Sequence, residues 1–226
     1  MSGLRKHLPN ILTCCNLLCG SIGVVFIMEN RGIPAAYFVW AAGLFDFFDG
    51  FVARAVKTTS LIGRELDSLA DMVSFGLLPA IVMYKMIGDS TTDTTLPFVA
   101  FMIAVFSALR LAIFNVDETQ RDSFRGLNTP ANTIFITSLP FVINSVPWLQ
   151  HTAVLVAITV IFSLMLVSPL TFFAFKFKNF TWADNKIRFT FLVLSVLLLA
   201  LLQLAAIPLI ILLYIGLSLG VRLVSK

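Results

Sequence analysis

Charge is what this sequence lacks most. Only 12% of its 226 residues are Asp, Glu, Lys or Arg, about half the ~25% of a soluble globular domain. So little charge cannot solvate the surface of a globule, and with 58% of residues hydrophobic the composition requires lipid as the solvent. Strand-like alternation is missing as well. The apolar runs are continuous and about 20 residues long, the length of a helix that crosses a bilayer. Hydrocarbon admits only helices and closed barrels, because every backbone polar group must be satisfied internally. No soluble domain, low-complexity tract or internal repeat interrupts the pattern, so residues 1–226 read as one polytopic, all-α membrane domain. Cysteine is scarce too. Cys14, Cys15 and Cys19 all fall in the first apolar run, with no metal-type spacing and no partner elsewhere. That excludes a disulfide framework and leaves packing or lipid-facing roles.

What charge there is carries information. A net charge of +4 is explained by basic residues on the cytoplasmic side of a membrane protein, and no nucleic-acid partner is expected. Arg5, Lys6 and His7 resemble the start of a signal peptide, but no small-residue cleavage site follows, so a retained first helix is expected. A bundle of about eight spans is predicted, at 8–28, 34–56, 67–87, 95–116, 131–149, 151–175, 188–205 and 207–223. The last two come from one long stretch that Pro208 breaks into a hairpin; read as a single tilted helix, it would leave seven. With the N-terminus in the cytoplasm, the cytoplasmic segments hold Arg5, Lys6, Arg54, Lys57, Arg64, Arg110, Arg121, Arg125, Lys176, Lys178, Lys186, Arg188, Arg222 and Lys226. The far side holds only Arg31 and Lys85, a strong positive-inside bias that sets the N-terminus in the cytoplasm; the inner, cytoplasmic membrane is the expected location.

Ionisable residues within a span are expensive and point to function. Asp46 and Asp49 lie in the second predicted span, at i, i+3; Asp67 and Asp71 open the third, at i, i+4. Each pair shares a helix face, and the short link from Lys57 to Arg64 brings the pairs together. Four carboxylates there repel unless their charge is cancelled, and Arg54 and Arg64 are too few to cancel it compactly. Hard divalent cations, Mg²⁺ or Mn²⁺, fit oxygen donors and leave positions open for phosphates. Two such ions can clamp a phosphoryl group during in-line displacement. Gly50 and Ala53, one turn on, and Gly63, which ends the link, keep the approach to the backbone clear, a pattern that helix packing alone also favours.

Asp46-x-x-Asp49-Gly50-x-x-Ala53-Arg54, eight residues, then Gly63-x-x-x-Asp67-x-x-x-Asp71 resembles the signature of the CDP-alcohol phosphotransferase family at every fixed position of residues 46–71. The resemblance implies a helical membrane fold in which Asp46, Asp49, Asp67 and Asp71 hold two metals. It makes Asp71 also the general base on the acceptor hydroxyl, and Gly50, Ala53, Arg54 and Gly63 the lining of the CDP pocket. It further places Asn10 and Thr13, one turn apart on the first helix, against the cytidine. A homodimer is what the family suggests.

Further stretches resemble the phosphatidylserine synthases of that family: residues 8–20, the run Asp71-Met72-Val73-Ser74-Phe75-Gly76 with Pro79, residues 108–116, and residues 124–131. This implies CDP-diacylglycerol as donor and L-serine as acceptor. Two positions depart from that pattern: Ile113 stands where a second arginine is usual, and Asn128 where a proline is usual. Serine needs a cation for its carboxylate. Arg110 could supply it or snorkel to the headgroups; Arg125 on the next loop has the same two readings. Asn16 and Asn115 either bind substrate or join helices. The basic residues Lys176, Lys178, Lys186 and Arg188 read as a headgroup-facing patch, and Trp40, Trp148 and Trp182 as interface anchors or core. The nearest alternative is the same chemistry on glycerol 3-phosphate or inositol phosphate, which calls for more arginines near the signature. An ion-coupled transporter, the alternative from another class, calls for broken helices at the midplane and repeat symmetry.

Overall fold

Backbone groups in hydrocarbon have no water to bond, and the apolar runs meet this by coiling. In the computed structural model residues 2–56, 60–117, 123–173 and 181–224 are described. Lys57, Arg121, Lys176, Lys178 and Lys226 lie outside the described residues, as do the side chains of Arg5, Lys6, Phe124 and Arg222. Helix α1 (Ser2–Met28) turns through Asn30 and Gly32, both with positive φ, into α2 (Ala35–Val56). The two are antiparallel: Phe26 meets Phe38 near the turn, and Thr13 meets Asp49 at the other end. Next, α3 (Leu61–Asp71), a π-helical segment (Met72–Leu77) and α4 (Leu78–Ser90) continue one another as a 30-residue rod. A 3-10 turn at Leu96–Phe101 leads into α5 (Met102–Val116). Then come β1 (Ser123–Arg125), α6 (Thr129–Ser138), α7 (Thr152–Leu166), β2 (Thr171–Phe173), α8 (Trp182–Leu202) and α9 (Ala206–Val224).

The all-helical membrane class is as expected, and the details correct several expectations. The helix of the third predicted span begins at Leu61, not 67, because Ser60 caps it by accepting the Gly63 N–H at 2.9 Å, satisfying one of the donors a helix start leaves open. Asp67 and Asp71 therefore lie well inside a helix, and Gly63 sits in its first turn instead of ending a loop. Five helical stretches among the described residues are long and apolar enough to cross a membrane, against the eight expected: His7–Met28, Ala35–Val56, Leu61–Ser90, Leu96–Val116 and Asn185–Gly220. The predicted fifth span, 131–149, holds only the last eight residues of α6 before Pro140 and Pro147 turn it into 3-10 and irregular chain. The predicted sixth, 151–175, stops at Leu166, and after Pro169 the chain pairs as a strand. The final stretch does fold back, since Phe191 and Tyr214 meet edge to face across it. Its break is at Gln203, with φ 52°, not at Pro208, which falls instead in the first turn of α9, where proline is tolerated.

The strands form an antiparallel ribbon, Phe124 opposite Phe172, that ties the α5–α6 link to the chain leaving α7. Gly126, with φ 80°, makes this possible: a Cβ there would stand 2.1 Å from Leu166 O. Its own N–H donates to Leu170 O at 2.8 Å. Asn128 then caps α6 by accepting the Ala131 N–H at 2.8 Å, which accounts physically for a polar residue at that departure from the family pattern.

The rod runs through the centre. Its α4 part packs Ala80, Met83 and Ile87 against Ile103 of α5, Ile136 of α6 and Leu155 of α7, while Phe75, Leu78 and Val82 pack against Val39 and Ala42 of α2. Close approach rests on glycine. A Cβ on Gly20 would stand 2.7 Å from Ser74 Cα, and one on Gly76 3.1 Å from Ser107 Cβ. Pro79 has no N–H to offer Phe75 O four residues back, and that oxygen accepts the Thr133 hydroxyl of α6 at 2.5 Å.

Candidate active site

Helix α1 sets the site, running antiparallel to α2 and parallel to α3, along which Asn10 lies near Gly63, Asn16 bonds Asp71 and Gly20 approaches Ser74. Asp46 and Asp49 stand in the second half of α2, Asp67 and Asp71 in α3, and the middle of α1 lies against both. One carboxylate oxygen each of Asp46, Asp49 and Asp67 lies within 4.8 Å of the others. At that separation, and an effective dielectric of about 20, each pair of charges repels by roughly 3 kcal/mol. Among the described residues no arginine or lysine ion-pairs with any of the four aspartates: Arg64 reaches Glu65 at 3.5 Å, and Arg54 is exposed. An all-oxygen, all-anionic donor set of this size fits a hard divalent cation.

Asp71 stands outside that triad of oxygens, within electrostatic range of Asp46, Asp67 and Asp49. Helix α1 holds one aspartate of each pair. The Thr13 hydroxyl donates to Asp49 Oδ2 at 2.6 Å, and Asn16 Nδ2 donates to Asp71 Oδ1 at 3.0 Å. Thr13 is thus engaged by a carboxylate. Asn10 lies near Gly63, its Oδ1 3.2 Å from where a Cβ on that glycine would be. Gly50 opens a gap whose nearest neighbour is Arg54 Nη1, 3.5 Å from a notional Cβ, with half-buried Ala53 beside it.

The residues expected to hold the acceptor are less gathered. Asn115 Nδ2 donates to Ser68 Oγ at 2.7 Å, joining α5 to α3 between Asp67 and Asp71. Arg110 is 5% exposed, so it does not snorkel. Its guanidinium lies over the Phe114 ring at 5.1 Å, and its Nε has no hydrogen-bond partner among the described residues. Arg125 is exposed on β1, in register with Thr171. Ile113, where an arginine is usual, faces outward at 47% exposure.

Two residues escaped the sequence reading. Ser107, one turn before Arg110 on the same face of α5, and Asn132 on α6 are both fully buried, with Ser107 Oγ and both Asn132 amide atoms unpartnered among the described residues. Uncharged polar residues inside apolar runs were the available signal.

A family model of CDP-alcohol phosphatidyltransferases matches residues 6–165. The CDP-diacylglycerol–serine O-phosphatidyltransferase of Bacillus subtilis (strain 168) is 31% identical over 145 residues, 62% of this chain and 79% of that protein. The protein of the same name from Helicobacter pylori (strain ATCC 700392 / 26695) is 28% identical over 172 residues, 74% of this chain and 72% of its own. The one from Saccharomyces cerevisiae is 33% identical over 154 residues, 61% and 55% of the two chains. With the matched segment spanning all four aspartates and the helices that hold them, the chain belongs to the CDP-alcohol phosphatidyltransferase family.

Proposed function

We propose that this protein transfers the phosphatidyl group of CDP-diacylglycerol to the hydroxyl of L-serine, giving phosphatidylserine and CMP. The observation that carries this is the clustering of Asp46, Asp49 and Asp67 beside Asp71 between two helical stretches long and apolar enough to cross a membrane, supported by relatives named for this reaction. Asp46, Asp49 and Asp67, joined by Asp71, would hold two divalent ions, Mg²⁺ or Mn²⁺. Bound there, the ions supply charge neutralisation at the pyrophosphate, which makes CMP a good leaving group. Asp71 takes the proton of the acceptor hydroxyl, whose own pKa is far above neutral. The hydroxyl oxygen bonds to the lipid-side phosphorus as the bond from that phosphorus to the bridging oxygen breaks, and CMP departs with that oxygen.

Asn10, Gly50, Ala53, Arg54 and Gly63 receive the CDP moiety, with Thr13 orienting Asp49 at its edge. Arg110, buried and with Nε unpaired among the described residues, takes the serine carboxylate, with Asn115 and Arg125 contributing. The site opens to the cytoplasm from the inner membrane, the lipid donor keeps its acyl chains in the bilayer, and the enzyme works as a homodimer. Membership of a transferase family removes the basis for a transporter.

The test is CMP release from CDP-diacylglycerol by the purified protein with Mg²⁺ or Mn²⁺, offering serine, glycerol 3-phosphate and inositol phosphate separately. Metal-dependent release with serine alone is the expected result. Release with another acceptor would keep the aspartate site and overturn the serine assignment. No release with any of the three would overturn the donor.

A further inference from the structure

Asn16 sits in the middle of a membrane helix with 0% of its surface exposed. Its amide is used unequally: Nδ2 donates to Asp71 Oδ1 at 3.0 Å, while Oδ1 is buried with no partner among the described residues. An asparagine that joins helices through hydroxyl groups can use either end of its amide. This one is oriented by the carboxylate, since only the NH₂ end can donate to it. The backbone around it is held firmly. Asn16 O accepts the Ser74 hydroxyl at 2.9 Å, and Gly20, one turn on, lets α1 approach Ser74 Cα so closely that a Cβ would not fit.

An aspartate side chain turns freely about two bonds, and its two oxygens are equivalent until something distinguishes them. We propose that Asn16 is the positioning residue for Asp71: by holding Oδ1 it fixes the carboxylate plane and leaves Oδ2 as the oxygen that meets the acceptor hydroxyl. Thr13, three residues earlier on the same face, treats Asp49 in the same way through Oδ2, so one stripe of α1 aims a carboxylate on each neighbouring helix. The inference rests on the reading of Asp71 as the base.

The test compares Asn16→Leu, of the same shape but without a donor, with Asp71→Asn, both as full-length protein in lipid nanodiscs. For Asn16→Leu, kcat for CMP release with serine is expected to fall about 10–100-fold, with KM for CDP-diacylglycerol and the thermal midpoint of the purified protein unchanged. Asn16→Asp, which sets a carboxylate against Asp71, is expected to lose at least as much. A folded Asn16→Leu protein with unchanged kcat, or with only a raised KM, would overturn the positioning role while leaving the base reading intact. Turnover surviving in Asp71→Asn would overturn that reading instead. Should Asn16→Leu fail to fold, Asn16→Ser carries the same test, its hydroxyl being too short to reach Asp71.

Discussion

The rod of residues 61–90 and the hairpin of residues 185–220 are both long and apolar enough to cross a bilayer, yet 61% of the first is buried in its most apolar window and only 17% of the second. The less buried one is the more apolar. In water the order would be reversed, because burial there follows hydrophobicity. In hydrocarbon an apolar side chain gains little by leaving lipid, and what goes inside is what lipid cannot satisfy: polar groups and close backbone contacts through small residues. The rod has these in Asp67, Asp71, Ser74 and Gly76; the lipid-facing side of the hairpin has leucines and valines such as Val196 and Leu201.

The comparison can be broken or sharpened by substitution. The largest effect is expected from Asp67→Asn, which removes one of the three clustered carboxylates. CMP release should drop about 10²–10³-fold, measured at saturating metal with the protein still folded by size-exclusion profile. Next is Gly20→Leu, which forces α1 off the rod at Ser74. It should cost about 1–3 kcal/mol, read as a lower thermal midpoint, and lower kcat as well because Thr13 and Asn16 move away from their aspartates. Thr133→Val keeps shape and removes the hydroxyl from Phe75 O; about 1 kcal/mol of stability is expected to go, with activity reduced by a smaller factor than for Gly20→Leu. Leu201→Ala should be the mildest. At 79% exposure on the hairpin it is expected to change stability by no more than about 0.5 kcal/mol and leave CMP release intact. A large loss there would show that the hairpin is buried against a partner.

The parts of this that the sequence made legible are those with a period or a spacing. The predicted second span differs from α2 by one residue at its start, and the i, i+3 and i, i+4 aspartates fall where helical geometry puts them. What was not legible depends on single residues acting against their surroundings. Pro140 and Pro147 end α6 although the run around them is apolar. Three-residue strands carry no alternation to detect, so the ribbon at Phe124 and Phe172 appears only once α5, α6 and α7 are assembled. Asn16 could not be told from a helix-joining residue until its partner was known to be Asp71. Asn132 and Ser107 gave no spacing at all.

The π-helical segment at Met72–Leu77, in which Leu78 N–H reaches back five residues to Val73 O, has a consequence for evolution by insertion and deletion. An α-helix turns about 100° per residue, and a π-turn is what a helix does with one residue too many. The extra residue sets the angular phase between the half of the rod that bears Asp67 and Asp71 and the half that is locked into the core at Leu78 and Met83. Remove it and the segment relaxes to an ordinary helix, swinging both carboxylates about a quarter-turn away from Asp46 and Asp49. A chain one residue shorter there would keep its spans, its charge and all four aspartates, and would lose the cluster they form.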